Sequence, residues 1–222
     1  MAFKVQVGPP QIAIHQGQTV LVSEHDGQIH WPSDKGLCFL DTRIISSWAI
    51  YANGETWELL NGGPISYYAA CIFFTNKSIL TADGPIAPRT LGLTISRSIS
   101  GGLHEDFDIS NNSMKPVRFQ LEIAFRCDFA DIFEVKSGSI RRRGRITTEW
   151  SASKQQLTTT YRNADFARSL TVDADSATKA VYANGRISFE VSLKKRKMTR
   201  KTIGATARTS SRLRTKRVRS SQ

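Results

Sequence analysis

Cysteine is scarce. Cys38, Cys71 and Cys127 are odd in number and far apart, and no C-x-x-C pair occurs, which argues against a disulfide framework. They read as reduced thiols, and the expected location is cytoplasmic. The four histidines, His15, His25, His30 and His104, keep no metal-ligand spacing with those cysteines, so no metal site is expected. No apolar run approaches the roughly 18 residues of a membrane-spanning helix, so no membrane partner is expected. Residues 1–10 hold no apolar stretch of about 7–15 residues, so no secretory leader is expected either. Phosphate-cradling glycine loops and the G-x-S-x-G nucleophile elbow are both absent. That removes the commonest nucleotide-binding and hydrolase signatures, and no cofactor is expected. Amphipathic helices of ordinary length are missing too, as is any repeat of fixed period.

Acid is missing from one place. The chain has 222 residues, 31 Lys+Arg, 19 Asp+Glu and a formal charge of +12. Residues 194–222 carry 12 of the basic groups and no acid, which leaves residues 1–193 with 19 of each sign. The basic excess therefore belongs to a C-terminal stretch. Read locally, that stretch has no sheet or helix period and is expected to be a disordered tail, 194–222, behind a folded domain, 1–193. Its cations suit the phosphate backbone of a nucleic acid or another anionic surface, and no other part of the chain suggests that partner. Because it starts directly after a strand-like segment, a frameshift or a truncated reading frame is an alternative origin.

What remains reads as β-structure. Short extended runs at Gln11–Ile14 and Thr19–Ser23 flank a turn at Gln16-Gly17-Gln18. Ile44–Ala52 is β-branched and aromatic and ends at Asn53-Gly54, a type I′ hairpin signal, after which Glu55, Thr56 and Trp57 open the return strand. Ser66–Thr75 is a long apolar run of strand composition. Leu91–Ser100 and Leu103–Ser110 form a second hairpin across Gly101-Gly102. In Val117–Phe125 every second residue is apolar, the clearest half-buried strand in the chain. Further strands are expected at Ile146–Trp150, Leu157–Tyr161, Ser169–Val172 and Arg186–Leu193, the last after the turn Asn184-Gly185. Many short strands separated by Gly/Asn/Asp turns predict an all-β, antiparallel β-sandwich.

Three groups of residues invite chemistry. Asp128, Asp131 and Glu134 fall in DFADIFEV, and Glu105, Asp106 and Asp108 form a second acidic group; glycoside hydrolysis needs two carboxylates. A spacing of three brings Asp128 and Asp131 to one side of a helical turn, if one forms. The alternative is that these acids cap a turn or pair with bases such as Arg126 and Lys136. Asp41 and Arg43, two apart on a strand, share a face and read either as a domain-interface contact or as a local pair. Trp31, Trp48, Trp57, Trp150, Tyr67 and Tyr68 read either as core or as a sugar-stacking platform.

Three stretches, Gly36–Leu60, Leu91–Ser110 and Asn111–Val135, resemble the N-terminal domain of bacterial glycogen debranching enzymes of the amylo-α-1,6-glucosidase type. The resemblance runs from about Gln18 to Leu193. Its most specific pieces are Asp41-Thr42-Arg43, Asp128-Phe129-Ala130-Asp131-Ile132-Phe133-Glu134-Val135 and the basic loop Arg141-Arg142-Arg143-Gly144. The resemblance implies a β-sandwich that precedes a helical (α/α)6 barrel, where the catalytic carboxylates reside. It therefore implies no catalytic residue in this chain. It assigns Asp41, Arg43, Asp128, Asp131, Phe133 and Glu134 to sandwich structure or to the face that meets the barrel. The implied function is that of a non-catalytic module of a glycoside hydrolase acting on α-1,6 branch points, here without its barrel. The implied partners are a barrel-bearing catalytic domain or glucan.

Overall fold

The computed structural model describes residues 10–174 and 179–211. In chain order its strands begin with β1 (Gln11–Gln16), β2 (Thr19–Glu24), β3 (Gly36–Phe39), β4 (Thr42–Ile45), β5 (Ser47–Ala52), β6 (Glu55–Ser66) and β7 (Ala69–Asn76). They continue with β8 (Ile79–Thr81), β9 (Gly84–Ile86), β10 (Leu91–Ile99), β11 (Leu103–Asn111), β12 (Val117–Arg126) and β13 (Ala130–Asp131). A six-residue helix, α1 (Ile132–Ser137), follows. The remaining strands are β14 (Arg145–Ser151), β15 (Gln156–Asn163), β16 (Phe166–Ala174), β17 (Ala180–Ala183), β18 (Arg186–Leu193) and β19 (Met198–Ser211).

The strands form a five-stranded sheet, β1-β2-β3-β4-β13, a twelve-stranded sheet, β14-β15-β16-β19-β11-β10-β7-β6-β5-β12-β18-β17, and the small hairpin β8-β9. Neighbouring strands run antiparallel, for example β10 with β11 and β12 with β18. The fold is the expected antiparallel β-sandwich. Alternation explains how the long sheet closes on itself. Leu91, Leu93, Ile95 and Ile99 of β10, Phe107 and Ile109 of β11, and Phe119, Leu121 and Ile123 of β12 are all buried in one core. Trp48 of β5 reaches across that core and donates its indole N–H to the Glu105 carboxylate of β11 at 2.9 Å. The two end strands also meet, because Trp150 of β14 lies 6.1 Å from the ring of Tyr182 of β17.

Both Asn-Gly turns take positive φ at each residue, 48° and 81° at Asn53-Gly54 and 51° and 74° at Asn184-Gly185, as a type I′ hairpin requires. Elsewhere the structure corrects the sequence reading. The run Ile44–Ala52 is divided at Ser46, whose N–H donates to the Arg126 carbonyl at 2.8 Å as the chain passes from the five-stranded to the twelve-stranded sheet. The run Ser66–Thr75 is not one strand. Ser66 pairs with Ala69, and Tyr67-Tyr68 is a two-residue turn with no glycine, asparagine or proline to mark it.

The largest correction concerns the basic stretch. Met198–Ser211 is β19, hydrogen-bonded on one side to β11 and on the other to β16. The sheet therefore crosses the boundary expected at Leu193. Cross-strand chemistry supplies the reason, since Arg200 lies directly opposite Asp108 and Thr202 directly opposite Asp106. Arg200 grips the Asp108 carboxylate with both Nε and Nη2, at 2.7 and 2.8 Å, and the Thr202 hydroxyl donates to Asp106 at 2.6 Å. The Arg200 hydrogen bond holds the Asp108 carboxyl below its ordinary value. Arg212, Arg214, Lys216, Arg217 and Arg219, the last five cations of the expected tail, lie outside the described residues. No helix among the described residues is long and apolar enough to cross a membrane.

Candidate functional site

The two acidic motifs, nearly ninety residues apart, are joined by a short β-bridge. Ala130 pairs with Arg43 and Asp131 with Thr42, so β13 lays the second motif along the first. Arg43 is fully buried beneath this junction. Its Nε lies 3.1 Å and its Nη2 2.5 Å from Asp128 Oδ2, and its Nη1 donates to the carbonyls of Ser33 and Lys35 at 2.6 and 3.1 Å. Gly36 makes room for this side chain. A Cβ at that position would stand 2.4 Å from the Ile45 carbonyl and 2.6 Å from Arg43 Cδ.

The remaining motif carboxylates hold local structure. Asp131 is the N-cap of α1 and accepts from the Phe133 N–H at 2.8 Å, an exchange worth about 1 kcal/mol at such positions. Asp128 precedes the helix and turns inward, so the two acids do not share a helical face. Asp41 is mostly exposed; its carbonyl accepts from the Ile132 N–H at 2.9 Å and its carboxylate from Arg168 Nη2 at 2.9 Å. Glu134 meets Arg143 at 2.6 Å, which ties the basic loop down to α1. Gly144 ends that loop where a Cβ would stand 2.3 Å from the Arg162 carbonyl and 2.7 Å from the Tyr161 ring. The Phe133 side chain is 79% exposed.

The second acidic group is also engaged. Glu105 is buried between Arg97, whose Nε lies 2.5 Å away, and Trp48. Glycoside hydrolysis needs two carboxylates with substrate room between them. Asp106 and Asp108 lie on the outward face of β11 and are each held by a β19 side chain, Thr202 and Arg200.

Around the motif lies a mixed apolar and basic face. Leu40, Phe133, Ile140 and Phe166 are exposed there, together with Arg141, Arg142 and Arg143. Arg145 and Arg162 sit directly opposite each other on β14 and β15, a like-charge juxtaposition that costs stability in isolation. A cleft of about 630 Å³ opens beside α1, lined by Trp31, Pro32, Val135, Lys136 and Ile140. Of the aromatic residues noted in the sequence, Trp48 and Trp57 are core and Trp150 packs against Tyr182, whereas Trp31, Tyr67 and Tyr68 are exposed.

Cys127 borders the site. Removal of its thiol from water and the adjacent Asp128 charge push it up to about 12, against the pull of a hydrogen bond with Thr159. The raised value favours the fold below the ordinary thiol pKa, and that contribution is lost as the pH climbs toward 12. At pH 8 iodoacetamide should label Cys127 roughly a thousandfold more slowly than an ordinary thiol, since each pH unit changes the thiolate fraction tenfold. Peptide mass spectrometry of timed aliquots measures this, and labelling at the ordinary rate contradicts it.

Comparison with known proteins gives a family and a fold. The model of one family, the N-terminal domain of (some) glycogen debranching enzymes, matches residues 14–203. That match passes Leu193 and takes in the first part of β19. No curated protein matches the chain. Among solved structures, the Slr1438 protein of Synechocystis sp. PCC 6803 superposes with a TM-score of 0.50 at 10% identity, covering 94% of this chain and 100% of that one. A putative aldose 1-epimerase from Escherichia coli K12 gives a TM-score of 0.52 at 9% identity, with 91% and 100% covered. A putative kojibiose phosphorylase from human microbiome gives 0.48 at 8% identity, covering 79% of this chain, which spans 23% of that one. For the first two structures, at these identities, the likeness is one of fold.

Proposed function

The chain belongs to the family of N-terminal domains of some glycogen debranching enzymes, and on that premise we propose that it is a non-catalytic module that docks a catalytic domain acting on α-1,6 branch points of glucan. The observation that carries this reading is how the motif residues are used. Arg43 and Asp128 lock the junction, Asp131 caps α1 and Glu134 anchors the basic loop. These contacts fix the backbone beneath Phe133 while its ring stands in solvent. Exposed Phe, Leu and Ile among arginines have the composition of a docking surface, in which aromatic residues and arginine are enriched. On this reading the partner is an (α/α)6 catalytic domain and the site of action is the cytoplasm.

Within the described part of the basic stretch Arg200 is spent on Asp108 in the sheet, whereas Lys194, Lys195, Arg196 and Lys197 are exposed and keep the nucleic-acid reading as the alternative.

Purified chain incubated with branched glucan should release no glucose above a blank without protein. Release that disappears on Asp128→Asn or Asp131→Asn would overturn the reading. Addition of a family (α/α)6 domain should yield a complex by size-exclusion chromatography, and Phe133→Ala should weaken it about tenfold, as truncation of a central aromatic anchor does. An undiminished complex with Phe133→Ala would contradict the assignment of this face.

A further inference from the structure

We propose that the tip of the β6–β7 hairpin is a binding site for a neutral oligosaccharide, with Tyr67 and Tyr68 as its stacking platform. The proposal rests on the accessory role argued above and concerns a different part of the molecule.

Two-residue hairpin turns normally carry Gly, Asn or Asp, whose backbones adopt the required conformations readily. The chain's own Asn53-Gly54 and Asn184-Gly185 turns follow that rule. Tyr67-Tyr68 carries two aromatic rings instead, with no positive φ at either residue and the Tyr68 N–H donating to Ser66 Oγ at 3.3 Å, so the turn itself requires neither ring. Core packing does not account for the rings either, because Tyr67 is 62% and Tyr68 40% exposed.

The rings are held in place. Tyr67 and Tyr68 meet edge to face at 5.1 Å, and the His15 ring lies 5.7 Å from Tyr67. The backbone beneath them is tied to both neighbouring strands. The His15 N–H donates to the Tyr67 carbonyl at 2.7 Å, and the Ile99 N–H donates to the Tyr68 carbonyl at 2.9 Å. A bulge between Pro64 and Ser66 re-aims the tip of β6. A platform fixed before the ligand arrives avoids part of the ordering cost of binding.

Charge decides the ligand class. Three segments converge at this end: residues 11–20 of the β1–β2 hairpin, 60–73 of β6–β7 and 98–104 of β10–β11. They contain no Lys, Arg, Asp or Glu, in a chain with 31 bases and 19 acids. Their exposed polar groups are amides, hydroxyls and imidazoles, among them Gln16, Gln18, Tyr67, Tyr68 and His104. These three segments offer no cation to a phosphate backbone; the charged groups next to them, Asp41 and Arg168 beyond Gln18, pair with each other. Flat ring faces beside neutral donors and acceptors match the C–H face and hydroxyl rim of a glucose unit.

The test is affinity electrophoresis of the full chain through gels containing soluble glycogen, together with titration by maltoheptaose monitored through tyrosine fluorescence. Glycogen should retard the wild-type chain. Tyr67→Ala and Tyr68→Ala should each weaken maltoheptaose binding about tenfold, as loss of an aromatic anchor does. Tyr67→Phe, which keeps the ring, should stay within about threefold of wild type, and Phe133→Ala should bind as wild type. Both tyrosines are exposed, so the variants' melting midpoints should stay within about 2 °C of wild type. No retardation of the wild-type chain overturns the proposal, as does retardation unchanged in both alanine variants. Binding confined to a charged polymer such as heparin does so too, as does loss in the alanine variants of self-association in place of maltoheptaose binding. Failure of the accessory reading would instead appear as glucose release in the hydrolysis assay, whatever the gels show.

Discussion

A chain ending at Lys197 should not fold. β19 is no appendage on an edge; it is the seam between β11 and β16. Its removal strips one side of the ladder from Leu103–Ser110 and one side from Phe166–Ala174. It also takes Ile203, 1% exposed, out of the core and severs β14, β15 and β16 from the rest of their sheet. Each lost ladder bond costs about 1 kcal/mol net, and the two ladders together exceed the roughly 5–15 kcal/mol that holds a whole domain. The two bared edges would also pair with other chains. The 1–197 chain should therefore be insoluble or lack a cooperative urea transition by circular dichroism. The 1–211 chain, which keeps β19, should unfold cooperatively. A soluble 1–197 chain with a wild-type urea midpoint would overturn this account, and a collapsed 1–211 chain would move the necessary contacts beyond Ser211.

The same strand shows where the sequence was legible. Locally, Met198–Ser211 has few apolar residues and no alternation, so propensity gives no reason to expect a strand. What fixes it is opposite it: Asp108 for Arg200 and Asp106 for Thr202. Strand preference depends on cross-strand neighbours more than on the residue itself. The acidic group in β11 and the basic stretch after Leu193 looked like separate features, yet part of each is the other's partner. That pairing, with the family match through residue 203, also weighs against an accidental origin for the start of the stretch.

Elsewhere, signals that are local survived. Both Asn-Gly turns and the alternating strand Val117–Phe125 stand as read. The Tyr67-Tyr68 turn was hidden because its residues are strand formers and its one local signal is Ser66, whose hydroxyl accepts from the Tyr68 N–H. The motif residues were found through their resemblance to a family, but nothing in sequence spacing could show that Arg43 would meet Asp128. Nor could it separate the buried Arg43 from the exposed Phe133 within one pair of motifs.

Arg43 and Asp128 should prove the costliest pair in the motif to separate. Asp128→Asn leaves a guanidinium charge buried without its counter-charge, a change that typically costs about 3–5 kcal/mol. Arg43→Met should cost at least as much, because it strands the Asp128 carboxylate and also removes the donors to the Ser33 and Lys35 carbonyls. The double variant Arg43→Met/Asp128→Leu removes both charges. It should cost less than the sum of the single changes, since the penalty of a lone buried charge is then paid in neither direction. Urea denaturation of the four chains gives the coupling directly. Phe133→Ala, on the same motif and 79% exposed, should leave the urea midpoint within about 0.5 kcal/mol of wild type. Single variants within about 1 kcal/mol of wild type, or strictly additive costs, would mean that the Arg43–Asp128 contact does not hold the junction. A large cost for Arg43 and Asp128 with none for Phe133 would divide the motif into the part that builds the face and the part that the face presents.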